Sequence, residues 1–192
     1  MKFVTFKSGS AVSWGIIQED LILDLGSLPV AKGKTLGQAL RKGIVEEAVA
    51  NAKSANKLAK SDVVLLAPII DAKKILCIGL NYADHIAEMN RPTPEFPVVF
   101  TRYNDSVVGH GTPLVAPRNS TQFDYEGELA VVIGKTARHV SPEAAMDHVF
   151  GYSVFNDGSI RDYQRHTHQF TPGKNFPNSG SFGPHIVTAD EA

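Results

Sequence analysis

Apolar and polar positions alternate in the first segments of the chain and predict a small β-rich region. The segments KFVTF, AVSWGII and LILDL are separated by the turn-prone stretches KSGS and QED, a pattern typical of short strands joined by tight turns. Over residues 36–60 alanine, lysine and glutamate dominate, as in EEAVANAKSANKLAK, which predicts a helix that Gly43 divides in two. We therefore expect residues 1–71 to form a small N-terminal α+β domain.

From residue 72 onward, apolar segments alternate with polar stretches that contain glycine and proline. KKILCIGL at 73–80 predicts a buried strand. NYADHIAEM at 81–89 follows it and predicts a short helix with Asn81 as the N-cap. This order of elements indicates a second domain over residues 72–192.

Further strands are predicted in the middle of this second domain. ELAVVIGK and GYSVFND predict strands, and the near-continuous apolar run of the first indicates that it enters the core. SPEAAMDHV predicts a helix capped by Ser141. The stretch 90–122 is expected to hold loops and short strands, and 158–181 a long loop. The whole chain is thus expected to be α+β and mostly β.

Composition and charge exclude several classes of partner. Hydrophobic residues make up 43% of the chain, and 19 basic residues stand against 20 acidic ones, so there is no net field to attract nucleic acid or an acidic membrane. The start MKFVTFKSGS has no signal-peptide pattern. The longest apolar stretch, VVLLAPII, is far shorter than the roughly 20 residues of a membrane helix. One cysteine, Cys77, fits a reducing compartment. We expect a cytoplasmic protein.

Acidic side chains crowd the segment FDYEGELAVVIGK at 123–135. Asp124, Glu126 and Glu128 occupy alternate positions, so on an extended strand their carboxylates would share one face. Their repulsion is about 1 kcal/mol in water and about 4 kcal/mol at a partly buried site. A cation, arginine partners or a fully solvated strand face would each relieve it.

An aspartate farther along the chain extends this acidic set. Asp157 ends GYSVFND; taken alone, Asn-Asp is also a common turn sequence. With Glu126 and Glu128 it gives three oxygen ligands, which suit a hard cation such as Mg²⁺, Mn²⁺ or Ca²⁺. The sequence therefore predicts a divalent-metal site, with a simple turn as the alternative for Asp157.

Two other groups of polar residues are candidates for catalysis. His85 and Glu88 stand at i and i+3 of the predicted helix, where a carboxylate orients an imidazole for general-base chemistry; an exposed surface pair is the alternative. Arg161, Gln164 and Lys174 supply donors for a substrate carboxylate or an oxyanion. Arg161 next to Asp162 could equally form a surface ion pair. His166 and His168 are interpreted as loop residues near the site.

Four segments in fixed order and spacing resemble one known family. They are GLNYADHIAE at 79–88, DYEGELAVVIGK at 124–135, GYSVFNDGSIRD at 151–162 and GKNFPNSGSFGP at 173–184. Together they resemble the fumarylacetoacetate hydrolase superfamily over roughly residues 72–192. The first seventy or so residues resemble the small N-terminal domain of many bacterial members.

This resemblance implies a fold, a cofactor and a set of roles. It implies a mixed β-sandwich or roll, a homodimer, and a site with Mg²⁺, Mn²⁺ or Ca²⁺. The metal ligands would be Glu126, Glu128 and Asp157; the catalytic residues His85, Glu88 and Lys174; the substrate-binding residues Arg102, Arg161 and Gln164. Arg102 matches a basic position that some relatives fill with lysine.

The sequence also departs from the family pattern. Some relatives place a fourth acidic ligand where this chain has Ile78, and Gly158 and Ile160 replace the residues that usually flank Ser159, a change expected to reshape the pocket. Relatives usually continue well beyond Ala192, so the catalytic domain is expected to be incomplete at its C-terminus.

The resemblance implies chemistry on a small keto acid. The preferred hypothesis is a metal-dependent hydrolase that cleaves a carbon–carbon bond of an acylpyruvate or fumarylpyruvate through a metal-bound enolate. The alternatives are oxaloacetate decarboxylation, isomerisation or hydration of a dienoate, and a non-catalytic truncated form. Fold resemblance alone does not choose among them.

Overall fold

Strands dominate the computed structural model, which describes residues 1–88, 90 and 92–192. The strands are β1 (Lys2–Ser8), β2 (Ala11–Gln18), β3 (Leu21–Asp24), β4 (Asn56–Ala59), β5 (Val64–Leu65), β6 (Ile75–Gly79), β7 (Val98–Arg102), β8 (Val107–Val108), β9 (Phe123–Asp124), β10 (Gly127–Ile133), β11 (Val149–Asn156), β12 (Ser159–Ile160), β13 (Gly180–Phe182) and β14 (Ile186–Thr188). The α-helices are short: α1 (Leu36–Lys42), α2 (Val45–Ala50), α3 (Ala83–Glu88), α4 (Arg161–Gln164) and α5 (Thr171–Lys174). The predicted α+β, mostly β class is confirmed.

One large sheet joins the two ends of the chain. Its strand order is β4-β3-β2-β1-β14-β11-β13-β8, with β10 added to β11 and β5 to β1. The central contact pairs Lys2 with Val187 and Phe3 with Ile186. Strands from both sides of the predicted domain boundary at residues 71 and 72 therefore belong to one continuous sheet. Two separate ladders, β6 with β7 and β9 with β12, lie outside it.

The main core lies where the N-terminal strands pack against α1 and α2. A capping box between Thr35 and Gln38 begins α1, and Gly43 ends it in a left-handed conformation, with φ of 66°. Large side chains such as Trp14 are fully buried there. The buried members of this cluster are Phe3, Trp14, Ile16, Leu25, Leu28, Ala31, Leu36, Ala39, Val45, Ala48, Ala55 and Ile186.

The predicted helix over residues 36–60 is only partly correct. The division at Gly43 is confirmed, but α2 ends at Ala50 and residues 56–59 form β4. In β4, Leu58 pairs with Ile22 of β3 and packs against the second apolar cluster. Burial of this side chain in the sheet outweighs the modest helix propensity of its neighbours.

Two strands predicted to be buried expose one face. In β6 Leu76 and Ile78 are exposed, and in β10 Leu129, Val131 and Ile133 are exposed. Successive strand residues point to opposite faces, so a continuous apolar run buries both faces only when something packs on each. The described residues leave one face of β10 exposed, so the prediction that this run enters the core is wrong for that face.

Smaller differences concern helix limits. The predicted helix over 141–149 is reduced to a 3₁₀ turn at Ala145–His148. The helix predicted from Asn81 begins at Ala83. Met89, which belongs to the predicted helix, lies outside the described residues. Arg91, which belongs to the predicted loop region, lies outside them as well. Across the part of the chain that the structure describes, no helix has the length and apolar character needed to span a bilayer.

Candidate functional site

Strand pairing brings the acidic segment against the segment that contains Asp157. The antiparallel ladder of β10 and β11 pairs Gly127 with Asn156. The same antiparallel arrangement continues through β9 and β12, where Asp124 pairs with Ser159. Between the two ladders the Asp157 N–H donates to the Glu126 carbonyl oxygen at 2.9 Å. Residues separated by about thirty positions in sequence are thereby placed side by side.

Asp157 lies at the centre of a buried ion-pair network. Its Oδ1 accepts a hydrogen bond from Arg102 Nη1 at 2.6 Å, and its Oδ2 accepts one from Lys174 Nζ at 2.7 Å. The side chain of Asp157 is 5% exposed, that of Lys174 2% and that of Arg102 0%. Buried charges at this depth are tolerated only when they are paired and hydrogen-bonded.

Arg102 has the role of holding Asp157 in this structure. Its guanidinium also donates to the Gly158 carbonyl oxygen at 3.0 Å and to Ser179 Oγ at 2.9 Å, besides contacts with Ser106. The side chain is completely buried, so it offers no donor to a substrate. In this conformation the Arg102 donors are turned inward to this chain's own acceptors, and its substrate contact stays a prediction.

Glu126 joins the same network through different donors. Its Oε2 lies 2.9 Å from Lys174 Nζ, and its Oε1 accepts from Arg161 and from Ser159 Oγ, the latter at 2.9 Å. Burial by itself would raise the pKa of this carboxyl, but the hydrogen bonds and charges of Lys174, Ser159 and Arg161 outweigh burial and lower the pKa. Glu126 is therefore held as a carboxylate.

Arg161 connects the acidic segment to α4. It donates to Asp124 Oδ2 from Nε at 2.9 Å and from Nη2 at 2.8 Å, and Nη1 donates to Gln164 Oε1 at 2.9 Å. Asp162 instead accepts from Ser120 Oγ at 2.7 Å. The alternative of an Arg161–Asp162 ion pair is not observed, and Arg161 lies beside Gln164, whose shared role in substrate binding stays a prediction.

Glu128 differs from its neighbours because no basic side chain of the described chain pairs with it. Burial raises its pKa, and the charges of Glu126 and Asp157 raise it further, while Tyr82 and Lys174 lower it less strongly. The three predicted metal ligands are therefore close enough to affect one another's ionisation. Four carboxylates, counting Asp124, face only three basic side chains in this cluster.

His85 and Glu88 lie apart from the carboxylate cluster. On α3 their Nδ1 and Oε2 atoms are 3.7 Å apart, and the side chains are 61% and 78% exposed. Within the described ranges no hydrogen bond or ion pair joins either residue to Glu126 or Asp157. The alternative of an exposed pair matches this conformation. One link exists nearby, since the Leu129 N–H donates to the Tyr82 hydroxyl at 3.2 Å.

Two glycines allow close approach of the backbone at the site, a role that the sequence analysis does not assign to them. A Cβ on Gly158 would lie 1.9 Å from the Ser179 carbonyl oxygen, and one on Gly180 would lie 2.6 Å from Arg102 Nη2. Glycine is therefore required at both positions for the backbone to close around Arg102. The signal in the sequence was an isolated glycine inside or beside a strand, which marks close backbone approach. Ile160 is fully buried.

Cys77 lies near this cluster on β6, where its surroundings disfavour the thiolate form. Burial raises the pKa of its thiol to about 12, and the Asp157 charge adds to the effect. Nucleophilic cysteines react as thiolates. The raised pKa therefore disfavours Cys77 as the residue that would attack a substrate covalently.

The donor set suits a hard divalent cation, although the side chains are arranged around this chain's own cations. Three carboxylates offer the oxygen ligands that Mg²⁺, Mn²⁺ and Ca²⁺ prefer, and Glu128 carries negative charge that no basic partner of the described chain neutralises. Among the residues that the structure describes, no group of three or more His, Cys, Asp or Glu side chains is already placed to hold a metal ion. The Lys174 ammonium lies between two of the predicted ligands.

The opposite pKa shifts of Glu126 and Glu128 predict opposite stability effects. Because the pKa of Glu126 is lowered on folding, its carboxylate stabilises the fold above the ordinary carboxyl pKa, and this stabilisation disappears as pH falls through the lowered value. Glu126→Gln should reduce the free energy of unfolding by about 1–3 kcal/mol near neutral pH. Glu128→Gln should leave it unchanged or raise it, because ionised Glu128 is disfavoured in the fold.

Urea unfolding of both variants in a metal chelator, at neutral and at acidic pH, measures this difference. The gap between the Glu126→Gln variant and the parent should shrink on acidification, since the parent then loses the same carboxylate. An equal loss of stability in both variants at neutral pH would contradict the assignment of charges.

Comparison with known proteins identifies the family. The family model described as fumarylacetoacetate (FAA) hydrolase C-terminal matches residues 74–192, close to the predicted start of the catalytic region at 72. Over 201 aligned residues the chain is 39% identical to the mitochondrial oxaloacetate tautomerase of Xenopus laevis. The alignment covers 99% of this chain and 62% of that protein, so the chain spans less than two thirds of the relative's length.

Solved structures give the same result at the level of the fold. The fumarylacetoacetate hydrolase of Exiguobacterium antarcticum aligns with a TM-score of 0.81 and 36% identity, over 99% of this chain and 67% of that one. The maleylpyruvate hydrolase of Sphingobium sp. SYK-6, in complex with manganese(II) and pyruvate, aligns with a TM-score of 0.77 and 25% identity, over 100% and 69%. The predicted family is confirmed: this chain belongs to the fumarylacetoacetate hydrolase superfamily.

Proposed function

We propose that this chain carries the site of an enzyme that acts through the enolate of a small 2-oxo acid, with keto–enol conversion of oxaloacetate as the first candidate. The proposal rests on one observation. Lys174 donates hydrogen bonds to the carboxylates of Glu126 and Asp157, and Arg161 lies beside Gln164 in the same cluster. Such a site combines donors for an anionic substrate with ligands for a cation. The 39% identity to an oxaloacetate tautomerase supports the choice of substrate.

The cationic side chains would bind and polarise the substrate. Arg161, one quarter exposed, offers a planar guanidinium that suits a carboxylate, and Gln164 beside it adds an amide. The Lys174 ammonium would lie at the carbonyl oxygen, where negative charge develops as the enolate forms. A fixed donor at such an oxygen typically contributes about 3 kcal/mol to transition-state stabilisation.

A divalent cation fits the same site, with Glu126, Glu128 and Asp157 as its ligands. When bound it would supply a Lewis acid and a fixed positive charge for the carbonyl and carboxylate of the substrate. The relative crystallised with manganese(II) and pyruvate supports a divalent metal. Mg²⁺, Mn²⁺ and Ca²⁺ all remain candidates.

His85 is the candidate for proton transfer. In the keto-to-enol direction its Nε2 would take a proton from the carbon next to the substrate carbonyl and deliver it to the enolate oxygen, while Glu88 faces Nδ1 and orients the ring. Because both side chains are exposed on α3 in this conformation, the helix must approach the carboxylate cluster for this step. Movement of a short segment onto a bound substrate is a common catalytic gating step.

Assaying oxaloacetate is the first test. The purified chain with Mg²⁺ or Mn²⁺ should accelerate loss of the ultraviolet absorbance of enol-oxaloacetate above the rate with metal alone. Metal chelation should lower the enzymatic rate about a hundredfold or more. The matched control is Glu128→Gln, which keeps the fold but loses a proposed ligand. Equal rates for parent, control variant and metal alone would reject the proposal.

Carbon–carbon hydrolysis of an acylpyruvate is the second candidate. The His85–Glu88 pair favours it, since a carboxylate-oriented imidazole also activates water, and one similar structure is a maleylpyruvate hydrolase. Release of pyruvate from acetylpyruvate or fumarylpyruvate, measured in the same preparation, distinguishes the two reactions. Decarboxylation of oxaloacetate is measured there as well, through pyruvate formation without added acylpyruvate.

A further inference from the structure

The oxygens of two proposed metal ligands are all engaged by this chain's own donors. Asp157 Oδ1 is held by Arg102, and Asp157 Oδ2 and Glu126 Oε2 are held by Lys174. Glu126 Oε1 is held by Arg161 and Ser159. A divalent cation that binds these carboxylates therefore competes with these donors for the carboxylate oxygens.

Lys174 is the donor that is least fixed by other contacts. Arg102 keeps four further acceptor atoms, which belong to Gly158, Ser179 and Ser106. Arg161 keeps Asp124 and Gln164. For the Lys174 ammonium, the described residues supply only the two carboxylates as hydrogen-bond partners, with the Phe100 ring 5.1 Å away.

The Lys174 ammonium also lies where a metal ion shared by Glu126 and Asp157 would bind. Its Nζ lies 2.9 Å from Glu126 Oε2 and 2.7 Å from Asp157 Oδ2. A metal bound to the same two oxygens would approach them to roughly 2.0–2.6 Å. Two cations bound to the same pair of oxygens would repel one another strongly in a buried site, so binding of one disfavours binding of the other.

We infer that Lys174 is the resident cation of this site when no metal is bound, and that a divalent cation and the Lys174 ammonium compete for Glu126 and Asp157. Metal binding then releases the ammonium from its two ion pairs and makes it available to the substrate. Binding of the metal and release of the Lys174 ammonium toward the substrate therefore occur together. This inference rests on the proposed metal-dependent function.

Titration with Mn²⁺, followed through the electron paramagnetic resonance signal of free Mn²⁺, tests the competition. Lys174→Met removes the competing cation and should tighten Mn²⁺ binding about tenfold or more. Lys74→Met makes the same charge change at an exposed lysine and should change the affinity less than about twofold. Unchanged or weaker binding in Lys174→Met would overturn the inference.

The two hypotheses fail in different ways. If the parent binds no Mn²⁺ but Lys174→Met does, competition is supported and the metal-dependent function of this chain is rejected. If neither binds, both are rejected. If both bind equally, only the competition is rejected.

Amine labelling of the unsubstituted chain provides a second measurement that needs no variant. With an acylating reagent and mass spectrometry, the labelling rate of Lys174 should rise several-fold when Mg²⁺ is added, while that of exposed Lys74 stays constant. A Lys174 rate that does not respond to Mg²⁺ at saturating concentration, in a chain that binds the ion, would contradict the release of the ammonium.

Discussion

Replacing Asp157 by asparagine is expected to destabilise the fold more than any other single change in the site. The substitution keeps the size of the side chain but leaves Arg102 and Lys174 as buried cations without their shared carboxylate. Breaking a buried ion pair on one side typically costs about 3–5 kcal/mol, because an uncompensated charge remains in the interior. Urea unfolding in the presence of a chelator measures the loss.

The matched control for Asp157→Asn is Asp124→Asn. Asp124 also pairs with an arginine, Arg161, but its side chain is 47% exposed, and exposed ion pairs contribute at most about 1 kcal/mol. A double variant sharpens the test, since Lys174→Met should cost less in the Asp157→Asn background than in the parent. Equal losses for Asp157→Asn and Asp124→Asn would contradict the buried network.

Turnover should fall about 10²–10³-fold in Lys174→Met, the size typical for loss of one oxyanion donor. The expectation concerns kcat on whichever 2-oxo acid the parent converts, with a smaller change in KM, because the ammonium acts mainly on charge that develops in the transition state. The same variant should bind Mn²⁺ more tightly than the parent. Tighter metal binding combined with slower turnover would separate the catalytic role of Lys174 from a purely structural one.

Lys74→Met is the control here as well and should turn over at the parental rate. Thermal unfolding of both variants at saturating Mn²⁺ checks that the comparison is made between folded proteins. A Lys174→Met protein that is folded, metal-loaded and as active as the parent would exclude Lys174 from the chemistry.

The charge pattern at Asp124, Glu126 and Glu128 shows how far the sequence could be interpreted. Like charges at alternate strand positions favour neutralising partners, and the structure supplies Arg161 and Lys174 for Asp124 and Glu126 but no basic partner among the described residues for Glu128. The sequence leaves a metal, arginine partners and solvent as alternatives. Spacing along one strand cannot choose among them, since Lys174 lies 48 positions from Glu126.

Which face of a strand is buried is a second feature that the sequence predicts only in part. The apolar run Leu129–Ile133 indicated a strand, and β10 confirms it. The two faces of that strand are not equivalent, because Leu129, Val131 and Ile133 are exposed while Ala130 and Val132 are partly buried. A sequence pattern reports what each face tolerates, whereas burial depends on which other segments reach that face.

The sequence by itself determined the mostly β class and the family, and it predicted candidate site residues, because strand periodicity, glycine and proline positions and four motifs in register are local properties of the chain. The tertiary structure alone decided which of these side chains meet. It placed Arg102 behind Asp157, Lys174 between two carboxylates, and His85 with Glu88 on an exposed helix. Long-range pairing of strands fixes such contacts, and the energy of a charge depends on its depth and neighbours, which no short stretch of sequence encodes.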